Sequence, residues 1–236
     1  MTPQTTFDPQ PSYIPNNVIV ITLDDVPDDT WTAKDLDFLK QSDLSVDFFT
    51  NTMNWSGSEG WPLITRMFNE GHYVGNHTVH HSHLPTLDAA TIEAEITGVE
   101  QTVSMLTNGA TPHLTRLRAP YGEPYQPGDP SDNGLVEGIV AKDAVHIAWN
   151  FDSGDTDGIT DGTALFNNVT MQIKTPGQGS WGIMLAHGVN QQTHDMLPML
   201  LPYLQQNGFV LGRVEDVVCW MFGKHSWDII PGRVPN

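Results

Sequence analysis

VIVITLDDVPDD, residues 18 to 29, runs from six mostly β-branched, apolar residues straight into two adjacent carboxylates, Asp24 and Asp25. Val-Pro follows, and then two more, Asp28 and Asp29. The apolar run reads as a buried strand, so the question is what its acidic end is for. Like charges side by side repel, and a buried pair is costly unless a metal or an arginine compensates it. One reading divides the pair, one carboxylate ligating a metal and the other taking a proton. The other is a solvated turn with a helix cap, and the strand directly before the pair weighs against it.

Outward from this strand, short β-branched or aromatic runs alternate with longer stretches of helical character, the pattern of βα units around a mostly parallel sheet. Seven strands are expected: residues 18–23, 45–51, 73–78, 113–119, 144–151, 182–187 and 209–214. Helices are expected at 31–41, 60–70, 87–107, 134–142, 163–175 and 191–206. The clearest is 87–107, where Ile92, Ile96, Val99, Val103 and Leu106 recur every three or four residues, Thr86 and Asp88 offer N-cap oxygens, and Asn108-Gly109 supplies a stop. A chain of 236 residues suits one α/β domain, taken as 18–236 after an N-terminal extension of 1–17.

Polar residues collect where these strands end. Asp24 and Asp25, His77, Arg118, Asp152 with Asp155, and His187 all fall at expected carboxyl ends, the edge where sites are built in barrels and open α/β sheets alike. In GNHTVHHSHL (75–84), His77 and His81 are four apart, which one helical turn would stack on one side. His77 with His80 and His80 with His83 are also spaced to pair, so spacing leaves the ligands open. A solvated polar loop is the plainer reading until a carboxylate joins two histidines in a three-ligand site. In RLRAPYG (116–122), Arg118 is placed to lower the pKa of an aspartate and orient it through a bidentate pair, or to form an ordinary surface ion pair. WNFDSGDTDG (149–158) is acidic but has no EF-hand register, so its carboxylates are expected to support other groups rather than hold calcium. His187 ends an apolar strand, where a histidine is usually a packed residue and, beside a metal site, a general acid.

The formal charge of -18, from 28 acidic and 10 basic residues, would repel phosphate backbones and anionic lipid heads, so nucleic acid and membrane surfaces are not expected partners. A neutral substrate suits this surface better. Cys219 is the single cysteine, which excludes an internal disulfide. The N-terminal residues show no signal-peptide pattern, and no run approaches the ~18 apolar residues of a membrane span.

Taken in order, TLDDV, HTVHH, RAPYG, DSGDT and LAH resemble the motifs of the polysaccharide deacetylases, the family-four carbohydrate esterases: T-F-D-D-G, H-[S/T]-x-x-H, R-x-P-x-G, D-x-x-D-W and L-x-H. The resemblance runs from about residue 18 to 188. It implies a distorted (β/α) barrel and a metal-dependent hydrolase that removes acetyl groups from carbohydrate, N-acetylglucosamine polymers before acetylxylan and peptidoglycan. It implies Asp24 as catalytic base, and Asp25, His77 and His81 as ligands of Zn2+ or another divalent ion such as Co2+. It further implies Arg118 positioning the base, the Tyr121 backbone N–H as an oxyanion donor, Leu185 lining the acetyl pocket, and His187 as the acid, oriented by Asp155. An acetylated oligo- or polysaccharide as partner, a monomer and a secreted or extracytoplasmic location follow from the same source. Trp55, Trp61, Tyr125 and the 122–134 loop are candidates for stacking on sugar rings. Three positions depart from the pattern. Leu23 stands for Phe, a mild packing change. Val26 stands for Gly, so the turn after the aspartates is expected to differ. Thr156 stands for a shielding Trp, a departure bearing on Asp155 and on water exclusion.

Overall fold

The apolar strand that ends in Asp24 and Asp25 lies at the centre of the sheet, with other strands hydrogen-bonded along both its edges. The computed structural model describes residues 16–52, 60–107, 109, 113–131, 134–173 and 181–230. In chain order its elements are β1 (Val18–Val26), α1 (Trp31–Gln41), β2 (Asp47–Thr50), α2 (Gly60–Asn69), β3 (Tyr73–Asn76), α3 (Ala89–Leu106), β4 (Arg116–Leu117), α4 (Leu135–Asp143), β5 (Val145–His146), β6 (Phe151–Asp152), α5 (Gly162–Gln172), β7 (Trp181–His187), α6 (Gln191–Gln206), β8 (Val210–Gly212), α7 (Val214–Phe222) and α8 (Ser226–Ile229). Seven strands lie in the order β5-β4-β3-β2-β1-β7-β6, and β8 pairs with the first three residues of β1. Every ladder is parallel. This is the expected α/β class with a distorted barrel.

Alternation along β1 builds two cores at once, because successive side chains point to opposite faces of a sheet. Ile19, Ile21 and Leu23 face outward into a layer shared with Leu36 and Leu39 of α1, Ile64 and Met67 of α2, and Leu197 and Leu200 of α6. Val20 faces inward, into a cluster with Phe49, Ile147, Ile183 and Val217. Further along the inward row come Thr22 and Asp24, both buried. The inner face thus turns from apolar to polar toward the carboxyl end, and the site begins where it does.

Two expectations change. The stretch 144–151 is not one strand. It is β5 and β6, which lie at opposite edges of the sheet, and residues 147–150 carry the chain across the gap between them. Both halves are extended and apolar, so their composition does not separate them. Ile147 N–H donates to Leu117 on one edge, and Asn150 N–H donates to Ile183 on the other. The second change is α7, a helix not anticipated after residue 206. Its Val214, Val217 and Val218 recur at helical spacing and pack into the inner cluster. Helix α6 matches its expected bounds, and in α3 Asp88 caps the N-terminus by accepting from Thr91 N–H at 2.8 Å. That helix ends at Leu106, and Gly109 of the expected stop, with φ 74°, donates its N–H to the Ser104 carbonyl at 2.8 Å.

Candidate active site

Adjacent residues on a regular strand point to opposite faces, so Asp24 and Asp25 can share a cleft only if the strand is broken between them. It is. The β1–β2 register shifts between Asp24 and Val26, and Asp25 adopts φ 65°. A bulge of this kind re-aims one side chain, and aspartate is among the residues that tolerate the left-handed region. Both carboxylates then line one cleft with His77, His81, Arg118 and His187. Position 26 does not take the left-handed backbone: Val26 is buried, and Gly188 leaves it room, since a Cβ there would sit 2.5 Å from Val26 Cγ1. Asp28, by contrast, accepts from the Thr30 and Trp31 N–H groups and caps the start of α1.

His77 follows β3, and its Nδ1 lies 2.8 Å from the Arg118 carbonyl oxygen. A carbonyl only accepts, so Nδ1 carries the hydrogen and Nε2 presents a lone pair. Burial is the main cause that pushes the His77 pKa down to about 3, which keeps the ring neutral. Nε2 of His77 and Nε2 of His81 each lie 3.6 Å from Asp25 Oδ1, and the three donor atoms fall within 4.8 Å of one another. Asn51, just past β2, holds that same Oδ1 with a hydrogen bond of 2.9 Å. Two imidazole nitrogens and one carboxylate oxygen, one ring with its tautomer fixed, are a donor set that suits a divalent cation of the zinc type.

The histidines do not converge through a helical turn, as their spacing suggested. Residues 77–83 form a loop in which Thr78 (φ 64°) and His81 (φ 55°) are left-handed. That path sends the intervening side chain away: His80 binds Glu95 of α3 through both Nδ1, at 2.7 Å, and its backbone N–H. His81→Ala is therefore expected to weaken metal binding by more than the 10–100-fold typical of losing an outer partner, and His80→Ala by less than about tenfold. Isothermal titration with Zn2+ on the two variants checks this, and equal losses would remove the distinction. His83 stacks on Tyr121 with centroids 3.9 Å apart and bonds Glu123, bracing the turn at the rim.

Arg118 is wholly buried just after β4. Its Nη1 donates to Asp24 Oδ1 at 2.8 Å and to Thr22 Oγ1 at 2.7 Å, while Nε and Nη2 donate to the carbonyls of Ile147 and Ala148. The expected bidentate pair is thus a single contact, because the other nitrogens are committed to the 147–150 crossing. Burial raises the Asp24 pKa, and Arg118 and then His187 oppose it. Tyr121 has φ 60° and lies at the cleft mouth against His81, with ring centroids 4.7 Å apart.

On the other side of β1, register places Asp24 opposite His187 and Thr22 opposite Leu185. His187 Nδ1 lies 2.8 Å from Asp155 Oδ1, and its backbone N–H donates to Oδ2. Thr193 Oγ1 and Asn190 Nδ2 also donate to Asp155. Burial works against a charged His187, yet the hydrogen bond and charge of Asp155, with Asp24 and Asp25 beyond, raise it to about 9. Burial likewise works against Asp155, but His187 and Thr193 bring it down to about 2. The geometry at Asp155 is intact despite Thr156, which lines the cleft where the motif has Trp.

A tryptophan does line the cleft: Trp149, carried by the 147–150 crossing. Neither it nor Asn51 stood out in the sequence. Asn51 ends an expected strand, the one signal that could have marked it. Tyr125, a candidate sugar platform, is instead stacked on buried His146 at 3.6 Å and packs against the core between α3 and α4. Trp55 and the side chain of Trp61 lie outside the described residues.

Known proteins share this fold and are similar in sequence. The polysaccharide deacetylase family model matches residues 13–127. The chitin deacetylase of Colletotrichum lindemuthianum is 30% identical over 202 residues, 81% of this chain and 75% of that protein. A peptidoglycan-N-acetylglucosamine deacetylase of Bacillus cereus is 28% identical over 199 residues, 80% of this chain and 64% of that one. In four such relatives the chain spans 47–64% of their length. The solved chitin deacetylase of C. lindemuthianum superposes with a TM-score of 0.78 at 24% identity, covering 95% of this chain and 98% of that one. With five motifs in order around one cleft and a relative this similar over three quarters of its length, the chain belongs to the polysaccharide deacetylase family.

Proposed function

We propose that the protein hydrolyses the N-acetyl groups of N-acetylglucosamine oligomers or polymers, with Zn2+ held by Asp25, His77 and His81. The observation that carries this reading is the placing of two opposed proton-transfer groups across one cation site: Asp24 with Arg118 on one side, His187 with Asp155 on the other. The names of the relatives support the substrate class. When bound, the cation supplies Lewis acidity toward the acetyl carbonyl and the attacking water. Asp24, oriented by Arg118 and raised by burial, takes the water's proton as its oxygen bonds to the carbonyl carbon. The Tyr121 N–H donates to the oxygen that becomes negative. His187, protonated on Nε2, gives that proton to the amine nitrogen as the C–N bond breaks, leaving acetate and a free amino sugar. Leu185 contacts the acetyl methyl.

The cleft has a volume of about 290 Å³. That is at the low end for pockets that enclose a ligand, so the reacting group enters while the rest of the sugar chain lies across the rim. A polymer of this kind is too large to enter a cell, so on this reading the protein acts outside the cytoplasm. The test is acetate release from acetylated chitooligosaccharides and from acetylxylan in parallel, with chelator and with added Zn2+. Release from the chitooligosaccharide, lost with chelator and restored by Zn2+, is expected. Preference for acetylxylan would move the assignment to ester hydrolysis, and release unaffected by chelator would refute the metal.

The acid role carries a pH signature. His187 must be protonated to act, so kcat/KM falls as pH rises through its pKa, which Asp155 holds well above the ordinary ~6.5. A bound cation offsets the contribution of Asp25 but not the direct bond to Asp155. Asp155→Asn is therefore expected to move the alkaline limb to lower pH by more than about one unit and to cut the rate about 10²–10⁴-fold. An alkaline limb that stays in place would show that another group donates the proton.

A further inference from the structure

Toward the C-terminal end of the described residues, α7, the turn after it and the start of α8 bring together Glu215, Cys219 and His225. Glu215 and Cys219 are four apart on α7 and so stack on one face of the helix. Gly223, with φ 66°, ends that helix and turns the chain back, which returns His225 to the same face. Cys219 Sγ lies 2.9 Å from His225 Nδ1, Glu215 Oε1 lies 3.2 Å from the same nitrogen, and all three donor atoms are within 4.8 Å of one another.

The groups behind these donors hold them in place. Glu215 is buried, and its Oε2 accepts from Arg116 Nη1 at 2.9 Å and from Ser226 Oγ at 2.7 Å, while Oε1 accepts from Ser226 N–H. Trp227 stacks on the His225 ring with centroids 4.3 Å apart and planes 8° from parallel. The arrangement is nonetheless awkward as a hydrogen-bond network. Nδ1 carries at most one hydrogen. If it does, it is shared between Glu215 and a poor sulfur acceptor, and if it does not, the Glu215 oxygen faces a lone pair. A cation at the centre satisfies all three lone pairs at once.

We propose that Glu215, Cys219 and His225 form a second metal site, for a thiophilic divalent cation of the zinc class. Sulfur, nitrogen and oxygen together select zinc over magnesium or calcium, which take oxygen ligands. Three protein ligands leave a fourth position toward solvent, where His225 is half-exposed. Thiolate and carboxylate neutralise the ion's two charges. The site ties α7 to the turn that leads into α8 and, through Glu215 and Arg116, to β4. No element that carries it supplies a ligand to the first site.

Because Cys219 is the only cysteine, sulfur spectroscopy reports on this site alone. The metal-stripped full chain is titrated with Co2+ and, separately, with Zn2+. We expect two ions per chain and a near-ultraviolet sulfur-to-cobalt charge-transfer absorption. In Cys219→Ala and in His225→Ala we expect one ion, loss of that absorption in the first, and unchanged acetate release. In wild type, Zn2+ is also expected to protect the thiol from a disulfide reagent, a measurement that needs no variant. A single ion in wild type, two ions without charge-transfer absorption, or two ions retained in Cys219→Ala would each overturn the proposal. Loss of the first site's ion, in contrast, leaves the absorption in place, so the two assignments fail separately.

Discussion

Asp24→Asn is expected to keep the first-site metal and lose turnover, with kcat falling about 10²–10⁴-fold, the contribution typical of a positioned general base. Asparagine keeps the shape and can still accept from Arg118 through its carbonyl oxygen, but it takes no proton from water. Asp25, His77 and His81 are untouched, so Zn2+ stoichiometry should equal that of wild type. A second effect follows from burial. Arg118 is almost fully buried, and Asp24 is the one carboxylate hydrogen-bonded to its guanidinium among the described residues. Breaking a buried ion pair by removing one partner typically costs about 3–5 kcal/mol, because the remaining charge stays in a poorly solvating place. The Asn variant should therefore also melt lower, a shift read by calorimetry. The two effects separate kinetically: the stability loss lowers the amount of folded protein, whereas the chemical loss persists per folded site. Normal turnover per metal-loaded molecule would refute Asp24 as the base.

His77→Ala should remove the first-site ion and the activity together. His77 is buried, its tautomer is held by the Arg118 carbonyl, and its Nε2 is within reach of both Asp24 and Asp25. Alanine leaves a His–Asp pair, too few donors to hold a catalytic cation well. Affinity should drop by more than the 10–100-fold that loss of an outer partner costs, and acetate release should fall to background at ordinary Zn2+ concentrations. Partial recovery at high Zn2+ is expected, which distinguishes a weakened site from a misfolded chain. Tight Zn2+ binding at the first site in this variant would remove His77 from the ligand set. On the proposed reading, the bond from His77 Nδ1 to the Arg118 carbonyl also links a metal ligand to the arginine that positions the base.

The family, the parallel α/β class and most residues of the site were legible in the sequence. Each motif stands where an apolar run stops, and chain order carries the rest. What was not legible is how neighbouring residues divide their directions. Spacing offered a helical turn for His77 and His81 as one of several pairings, whereas a loop with two left-handed residues, at positions 78 and 81, delivers them. The stretch 144–151 looked like one strand because each half is extended and apolar, and only its partners place the halves on opposite edges. Trp149 therefore had no visible reason to face the cleft. Cys219 read as an isolated cysteine, and nothing in its local sequence announced that Gly223 folds His225 back beside it.

The sequence by itself determined the chemical inventory: a buried strand ended by two carboxylates, two spaced histidines, an arginine, and a histidine with a supporting aspartate, in family order. Periodicity gives the strand, because apolar patterning is local; which polar residues belong together comes from their resemblance, in order, to the family's motifs. The tertiary structure alone decided which side of each residue meets which neighbour. A bulge at Asp25 turns two adjacent aspartates into one cleft, against the strict alternation of a strand. Arg118 spreads its nitrogens over Asp24, Thr22 and two carbonyls, and Asp155 gathers His187, Thr193 and Asn190. These are contacts between residues up to 96 positions apart, set by sheet register and loop path, and a one-dimensional pattern does not encode a direction in space.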